Sequence, residues 1–161
     1  MNPYNEAILS IFTKLVDQVI ETMDGMPEDA LASWKTGQAH GDVSTMYGMA
    51  THIAGAGEHW TLEAAGGKEL NRRRLEEFEA QGSIEAIRRR YDAWMDELGV
   101  LLTRLTDDDL RSVYVREANP AQGVSAARAT RAEAILHALD HTALHLGHMQ
   151  VQRQLWDQEQ A

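Results

Sequence analysis

The sequence contains no cysteine. This absence excludes a disulfide scaffold, a CxxC redox motif, a cysteine nucleophile and a thiolate metal site. The chain also lacks the G-x-S-x-G pattern. The sequence therefore shows neither of the usual nucleophiles of acyl-transfer enzymes, a cysteine or the serine of this motif. Any metal site must therefore be built from histidine, aspartate, glutamate or water.

Positive charge and long apolar runs are also scarce. The 15 basic residues are outnumbered by 25 acidic residues, which gives a formal net charge of −10. Such a balance repels nucleic-acid phosphates and anionic membranes. No window approaches 18 uninterrupted apolar residues, and the first residues lack a signal-peptide pattern. We therefore expect a cytoplasmic protein with no nucleic-acid partner and no membrane association.

The one basic cluster comprises Arg72 to Arg74 and Arg88 to Arg90, interleaved with glutamates. Charges of alternating sign at i,i+4 spacing are typical of a solvated helix face. An anion-binding role is the alternative. The pattern alone leaves both interpretations open.

The chain of 161 residues is long enough to bury one substantial core, and we expect a single domain spanning residues 1–161. Apolar residues recur at helical spacing in four long segments. The third carries a heptad-like seam that favours antiparallel packing. The sequence therefore predicts an all-α fold, a four-helix bundle with a long crossover connection. The predicted helices span Pro3 to about Met23, Val43 to Ala65 with Asp42 or Ser44 as cap, Ser83 to Leu105, and Thr130 to Trp156 with a capping box.

The connection before the last helix is long and polar, from Glu117 to Arg128. Loops of this length often carry function, so it is a candidate lid or site rim. Simple crossover geometry explains it equally well. Just before it, Arg111 to Val115 alternates enough to allow an extended piece.

The last helix carries four histidines, His137, His141, His145 and His148. Their spacings of four, four and three place them within about 80° of one helix face. A His-xxx-His pair can chelate one divalent ion from one side, and a third ligand must come from another helix. His52 is the best candidate, because small residues surround it on the other histidine-bearing helix. Three protein nitrogens would leave positions open for water or substrate.

Several metal classes are excluded by the neighbours of these histidines. His141 is followed by Thr142, whereas the metalloprotease pattern HExxH requires glutamate. No glutamate stands three residues before a histidine, so a ferritin-like di-iron site is also unfavoured. One divalent ion is the better interpretation, and imidazole ligands accept zinc, nickel or iron. His40 lies in a loop, where a lone histidine is mostly solvated.

The segments ATHIAGAGEHW and DHTALHLGHMQVQRQL together resemble the DinB-like (DinB/YfiT) superfamily of small metal-binding four-helix bundles. In that family three histidines bind one divalent ion, and the resemblance assigns them to His52, His141 and His145. Many relatives have glutamine at the position of His148 and an aromatic residue near His59. Three roles are open to His148 and to His59: an extra ligand, a catalytic proton acceptor or a polar residue that lines the site. His137 is assigned a supporting role, and the resemblance also implies a homodimer.

Characterised members of the superfamily include transferases and isomerases that use low-molecular-weight thiols such as bacillithiol, mycothiol or glutathione. The resemblance therefore implies a metal-dependent thiol S-transferase acting on small electrophiles, with one divalent ion and the thiol as cosubstrate. A bound cation favours the thiolate, which is the nucleophile. The alternatives are a hydrolase that uses metal-bound water and a non-catalytic, stress-associated metal-binding module.

Overall fold

The computed structural model describes residues 2–35 and 44–161. Within these ranges the chain is helical apart from one small antiparallel sheet. A π-helical segment, His59–Ala65, continues the third helix, and a 3-10 turn spans Pro120–Gln122. The helices are α1 Pro3–Met23, α2 Glu28–Ser33, α3 Met46–Glu58, α4 Arg74–Glu77, α5 Ile84–Arg104, α6 Asp107–Arg111 and α7 Arg131–Gln160, and the strands are β1 Val113–Arg116 and β2 Ala127–Thr130.

The four long helices form the predicted bundle. Both α5 and α7 pack against α1, and both also pack against α3. The bundle interior is filled by large side chains, of which Phe12 and Trp94 meet edge to face with ring centroids 5.6 Å apart. None of the helices within the described ranges is both long and apolar enough to cross a lipid bilayer. The all-α prediction with a long crossover connection is confirmed.

Capping side chains fix where the long helices begin. Asn2 accepts a hydrogen bond from the backbone N–H of Asn5 at 2.9 Å, and Ser83 caps α5 in the same way. Thr130 and Glu133 form the predicted capping box at the start of α7. Such caps satisfy backbone N–H groups that have no partner inside the helix. The helix starts that these residues mark in the sequence are therefore also the starts in the structure.

The second long helix begins later than predicted. Its cap is Thr45, whose hydroxyl accepts from the backbone N–H of Gly48 at 3.0 Å, so α3 starts at Met46. The sequence prediction placed the start near Val43. Asp42 and Val43 lie outside the described residues, and Ser44 precedes the cap.

The seam of α5 follows the helical period more closely than the heptad pattern suggested. Ile87, Tyr91, Trp94 and Leu98 are buried, but in the last turn Leu102 is buried and Leu101 only partly so. A straight helix drifts by about 20° per heptad, which moves the buried position by one residue. The buried face of α5 therefore follows the helical period of about 3.6 residues.

The long connection before α7 contains a hairpin. Strand β1 pairs antiparallel with β2, from Val113 opposite Thr130 to Arg116 opposite Ala127. Between the strands, Gly123 adopts a left-handed φ of 62°, which glycine reaches without steric cost. The extended piece expected at Arg111 to Val115 is thus present as β1. Thr130 ends β2 and also caps α7, so the hairpin continues directly into that helix.

Candidate metal centre

Three histidines from two helices converge in the bundle. His52 lies on α3, and His141 and His145 lie one turn apart on α7. One ring nitrogen of each lies within 4.8 Å of the others. The ring centroids of His141 and His145 are 4.3 Å apart, and that of His52 is 5.0 Å from His141. The structure therefore brings together the three residues that the sequence singled out as ligands.

The two α7 histidines are held in the neutral form. Burial lowers the pKa of His141 to about 3, with further lowering by His145 and His52. Burial and the neighbouring His52 and His148 lower the pKa of His145 to about 4. Neutral imidazole is the form that binds metals. Nδ1 of His141 is buried without a hydrogen-bond partner among the described residues. Three nitrogen donors and an unpartnered ring atom fit a divalent ion such as zinc.

Glu77 fixes the ring of His52. Its Oε2 lies 2.8 Å from Nδ1 of His52, so Nδ1–H donates to the carboxylate and Nε2 keeps a free lone pair. Arg72 holds the same carboxylate through Nε at 2.6 Å and Nη2 at 2.8 Å. Burial alone raises the pKa of Glu77, but the hydrogen bonds from Arg72 and His52 outweigh it and lower the pKa. The buried carboxylate therefore stays ionised.

Glycines on α3 make room for this arrangement. A Cβ atom on Gly55 would lie 2.2 Å from Oε1 of Glu77, and one on Gly48 would lie 2.8 Å from the carbonyl oxygen of Phe78. The ring of Phe78 stacks on His52 at a centroid distance of 4.6 Å and an angle of 29°. The small-residue side of α3, which the sequence marked as a place of close approach, thus receives α4 and its carboxylate.

A pocket of about 370 Å³ opens above the three histidines. Trp60 and Phe78 line its walls, together with three arginines and His137. Gly123 to Ser125 also line it, so the long connection reaches the site as the sequence analysis allowed. The pocket is large enough for a small molecule next to the imidazoles.

His59 does not line this pocket. It is 3% exposed, its Nδ1 lies 3.0 Å from Glu63, and its Nε2 contacts Nη1 of Arg116. Burial lowers the pKa of His59, partly offset by Glu63. A neutral ring that donates from Nδ1 accepts at Nε2, so both ring nitrogens of His59 are already engaged.

The remaining histidines differ in their surroundings. His148 is exposed, and its Nδ1 lies 3.4 Å from Nδ1 of His145. His137 meets Trp60 edge to face at 4.6 Å and lines the pocket. His40 lies outside the described residues.

The fold and site define a class, a four-helix bundle with a histidine triad beneath a small pocket. The model of the DinB superfamily matches residues 11–149, and the chain belongs to that superfamily. A search of curated proteins finds no match.

Two solved structures share this fold. The crystal structure of a mycothiol-dependent maleylpyruvate isomerase superposes with a TM-score of 0.59 at 12% identity, covering 88% of this chain and 59% of that enzyme. A variant of the same enzyme with one histidine replaced by alanine gives the same values. The chain thus spans 59% of the length of that isomerase. At this identity the likeness concerns the fold.

Proposed function

We propose that this protein is a metal-dependent enzyme that transfers a low-molecular-weight thiol to a small electrophile. The observation that carries the proposal is the convergence of three imidazoles at the floor of an open pocket. In this proposal His52, His141 and His145 hold one divalent ion, either zinc, nickel or iron. The thiol-dependent isomerase with the same fold supports the thiol as cosubstrate.

Three protein ligands would leave coordination positions facing the pocket. A divalent ion held there favours the deprotonated form of a thiol bound to it. The chain has no cysteine, so the thiol comes from outside the protein. Trp60 and Phe78 shield one side of the pocket from water, and Glu77 keeps His52 in the orientation that presents Nε2.

Of the two candidate proton acceptors, the geometry favours His148. It does not line the pocket, but it is exposed and stands beside His145, so in this proposal it takes the thiol proton at the edge of the site and releases it to solvent. His59 has both nitrogens engaged, and its role in this proposal is to hold Arg116. A homodimer, expected from the family, and a cytoplasmic location, expected from the sequence pattern, complete the proposal.

Metal content tests the ligand assignment. The purified, untagged protein should hold one divalent ion after reconstitution, measured by elemental analysis. The triple alanine variant of His52, His141 and His145 should lose it, whereas Gln150→Ala, a control at an exposed position of α7, should keep it. A wild-type protein that never retains a divalent ion would show that the assignment is wrong.

Three reaction mixtures test the activity. The metal-loaded protein is given a small electrophile with glutathione, with 2-mercaptoethanol, or with no thiol. Consumption that requires both metal and thiol supports thiol transfer. Consumption without thiol supports the hydrolase, and the absence of turnover in a protein that binds metal tightly supports the non-catalytic module.

A further inference from the structure

The walls of the pocket above the histidines carry more positive charge than negative charge. Arg72, Arg74 and Arg116 line it, and its described lining residues include no aspartate or glutamate. The chain as a whole has a net charge of −10, so this local excess runs against the average composition. A cleft lined by one sign of charge concentrates ligands of the other sign.

Two of these arginines lack an acidic partner. Arg72 is engaged by Glu77, but Arg74 and Arg116 form no ion pair with a carboxylate of residues 2–35 or 44–161. Both side chains are half-buried. Within the same ranges, every other half-buried arginine does pair with a carboxylate, namely Arg72, Arg90, Arg131 and Arg153. The lack of a partner is therefore specific to the pocket.

Both guanidinium groups are already fixed in position. Arg116 lies over the ring of Trp60 at 5.2 Å, and its Nη2 donates to the carbonyl of Ser125 at 2.9 Å. Arg74 lies over the ring of Phe78 at 5.3 Å. Aromatic stacking restricts the guanidinium without using up its charge. Arg74 reaches the pocket from α4 and Arg116 from β1. Because both side chains are already held in place, little conformational entropy is lost when a ligand binds.

A metal on the triad would increase the imbalance. The three imidazoles bring no negative charge, and the carboxylate of Glu77 is shared between Arg72 and His52. A thiolate would offset one charge of a divalent ion, which leaves Arg74 and Arg116 for another anionic group. A planar carboxylate matches the forked guanidinium donors in geometry and charge.

We propose that Arg74 and Arg116 bind a carboxylate group of the reactants, so that the pocket takes a small organic acid. This inference rests on the proposed function, because it names the substrate class of the same site. The carboxylate belongs either to the electrophile or to the thiol cosubstrate.

Binding of succinate tests the proposal, with succinamide as its uncharged counterpart. Affinities are measured by titration calorimetry for the wild type, Arg74→Gln, Arg116→Gln, and two control variants, Arg73→Gln and Arg88→Gln. The controls lose the same charge from exposed positions. Succinate should bind more tightly than succinamide, and its dissociation constant should rise about tenfold to a hundredfold in Arg74→Gln and Arg116→Gln. It should not change in the controls.

The metal-free and zinc-loaded proteins are titrated in parallel. Succinate binding that persists with zinc in the double variant Arg74→Gln/Arg116→Gln reflects metal ligation and overturns the proposal. Equal binding of succinate and succinamide, or tighter binding of inorganic phosphate, also overturns it. Arg116→Lys, which keeps the charge, guards against misfolding of Arg116→Gln, and circular dichroism checks every variant.

The outcome separates this inference from the proposed function. Arginine-dependent succinate binding in a protein that never holds metal would sustain the carboxylate site and refute the metal enzyme. Metal-dependent thiol transfer that is unchanged by Arg74→Gln and Arg116→Gln would support the metal enzyme and refute the carboxylate site. Titrations with glutathione, which carries carboxylates, and with 2-mercaptoethanol, which does not, then distinguish the source. Weakening by the substitutions for glutathione but not for 2-mercaptoethanol assigns the carboxylate to the thiol, whereas equal behaviour of the two thiols in all variants assigns it to the electrophile.

Discussion

Replacing Glu77 by glutamine should weaken both the fold and the metal site. The carboxylate is 6% exposed and accepts bonds of 2.6 and 2.8 Å from Arg72 and 2.8 Å from His52. Breaking a buried ion pair by removing one partner costs about 3–5 kcal/mol. Because Arg72 is 15% exposed and water recovers part of that loss, we expect about 3 kcal/mol of lost unfolding free energy.

The effect on metal binding follows from the same contact. Loss of an outer carboxylate that orients a ligating histidine lowers metal affinity by about tenfold to a hundredfold. Urea unfolding of the metal-free protein measures the first effect, and zinc competition with a chromophoric chelator measures the second. Glu77→Gln that loses stability but keeps full zinc affinity would show that the contact serves packing alone.

Glu76→Gln is the matched control on the same helix. Glu76 pairs with Arg73, and the two side chains are 66% and 61% exposed. Exposed pairs contribute about 0–1 kcal/mol, so this variant should retain stability and zinc affinity. Equal behaviour of Glu76→Gln and Glu77→Gln in both assays would refute the reasoning.

Three further predictions concern stability. Tyr91→Phe should cost about 1 kcal/mol in urea unfolding, because the fully buried Tyr91 hydroxyl donates to the carbonyl of Ala50 at 2.8 Å; an unchanged midpoint would contradict this. The backbone N–H and hydroxyl of Thr130 hold the pKa of Glu133 below its ordinary 4.5. The ionised Glu133 therefore stabilises α7 above that pH and loses this contribution as pH falls through the lowered pKa, so Glu133→Gln should flatten the acid limb of a melting-temperature profile. In thermal unfolding, zinc at about 100 times its dissociation constant should stabilise the wild type by about 2.7 kcal/mol. It should stabilise His145→Ala far less, and equal stabilisation of the two proteins would argue against the site.

The bundle could be predicted because its signals are local. Asn2, Ser83 and Thr130 mark helix starts through hydrogen bonds to residues three positions later, and such spacing is visible in the sequence. The sheet is less visible, since its strands have four residues each. The prediction extended the second helix to Ala65 but did not identify His59–Ala65 as π-helical. Trp94 approaches α3 there and donates to Thr61 at 2.8 Å, a contact between distant segments that no local pattern records.

The site was only partly predictable for the same reason. Helical spacing placed four histidines on one face of the last helix, and the resemblance to the DinB-like superfamily assigned the ligand roles to His141 and His145. The small residues of the second helix favoured His52. Glu77 could not be identified in this way, because it stands among the many charged residues from Glu69 to Glu79, where an exposed carboxylate is the ordinary expectation. Its burial depends on Gly55, twenty-two residues earlier. Glycine signals that something comes close, but it does not identify what.

The arginines of the basic cluster fall into two groups with different surroundings, which the composition of the cluster did not show. Arg73 and Arg89 form the exposed pairs expected of a solvated helix face. Arg72 and Arg74 instead turn toward the pocket, where Arg116 joins them from the hairpin. Charge pattern alone could not separate these, because the three arginines are adjacent in sequence, and only the structure shows that Arg73 lies exposed before α4 while its neighbours line the pocket.

The junction at Thr130 has a consequence for how molecules enter the pocket. The residue is at once the end of β2 and the cap of α7, and the N–H of Arg131 donates to the carbonyl of Ser112 at 3.0 Å. No flexible linker separates the hairpin from the helix that carries His141, so the rim cannot swing outward without disturbing that helix. Ligand exchange should then not require the hairpin to open, so the β1 amides that are hydrogen-bonded to β2 should exchange with solvent at the same rate with and without a ligand.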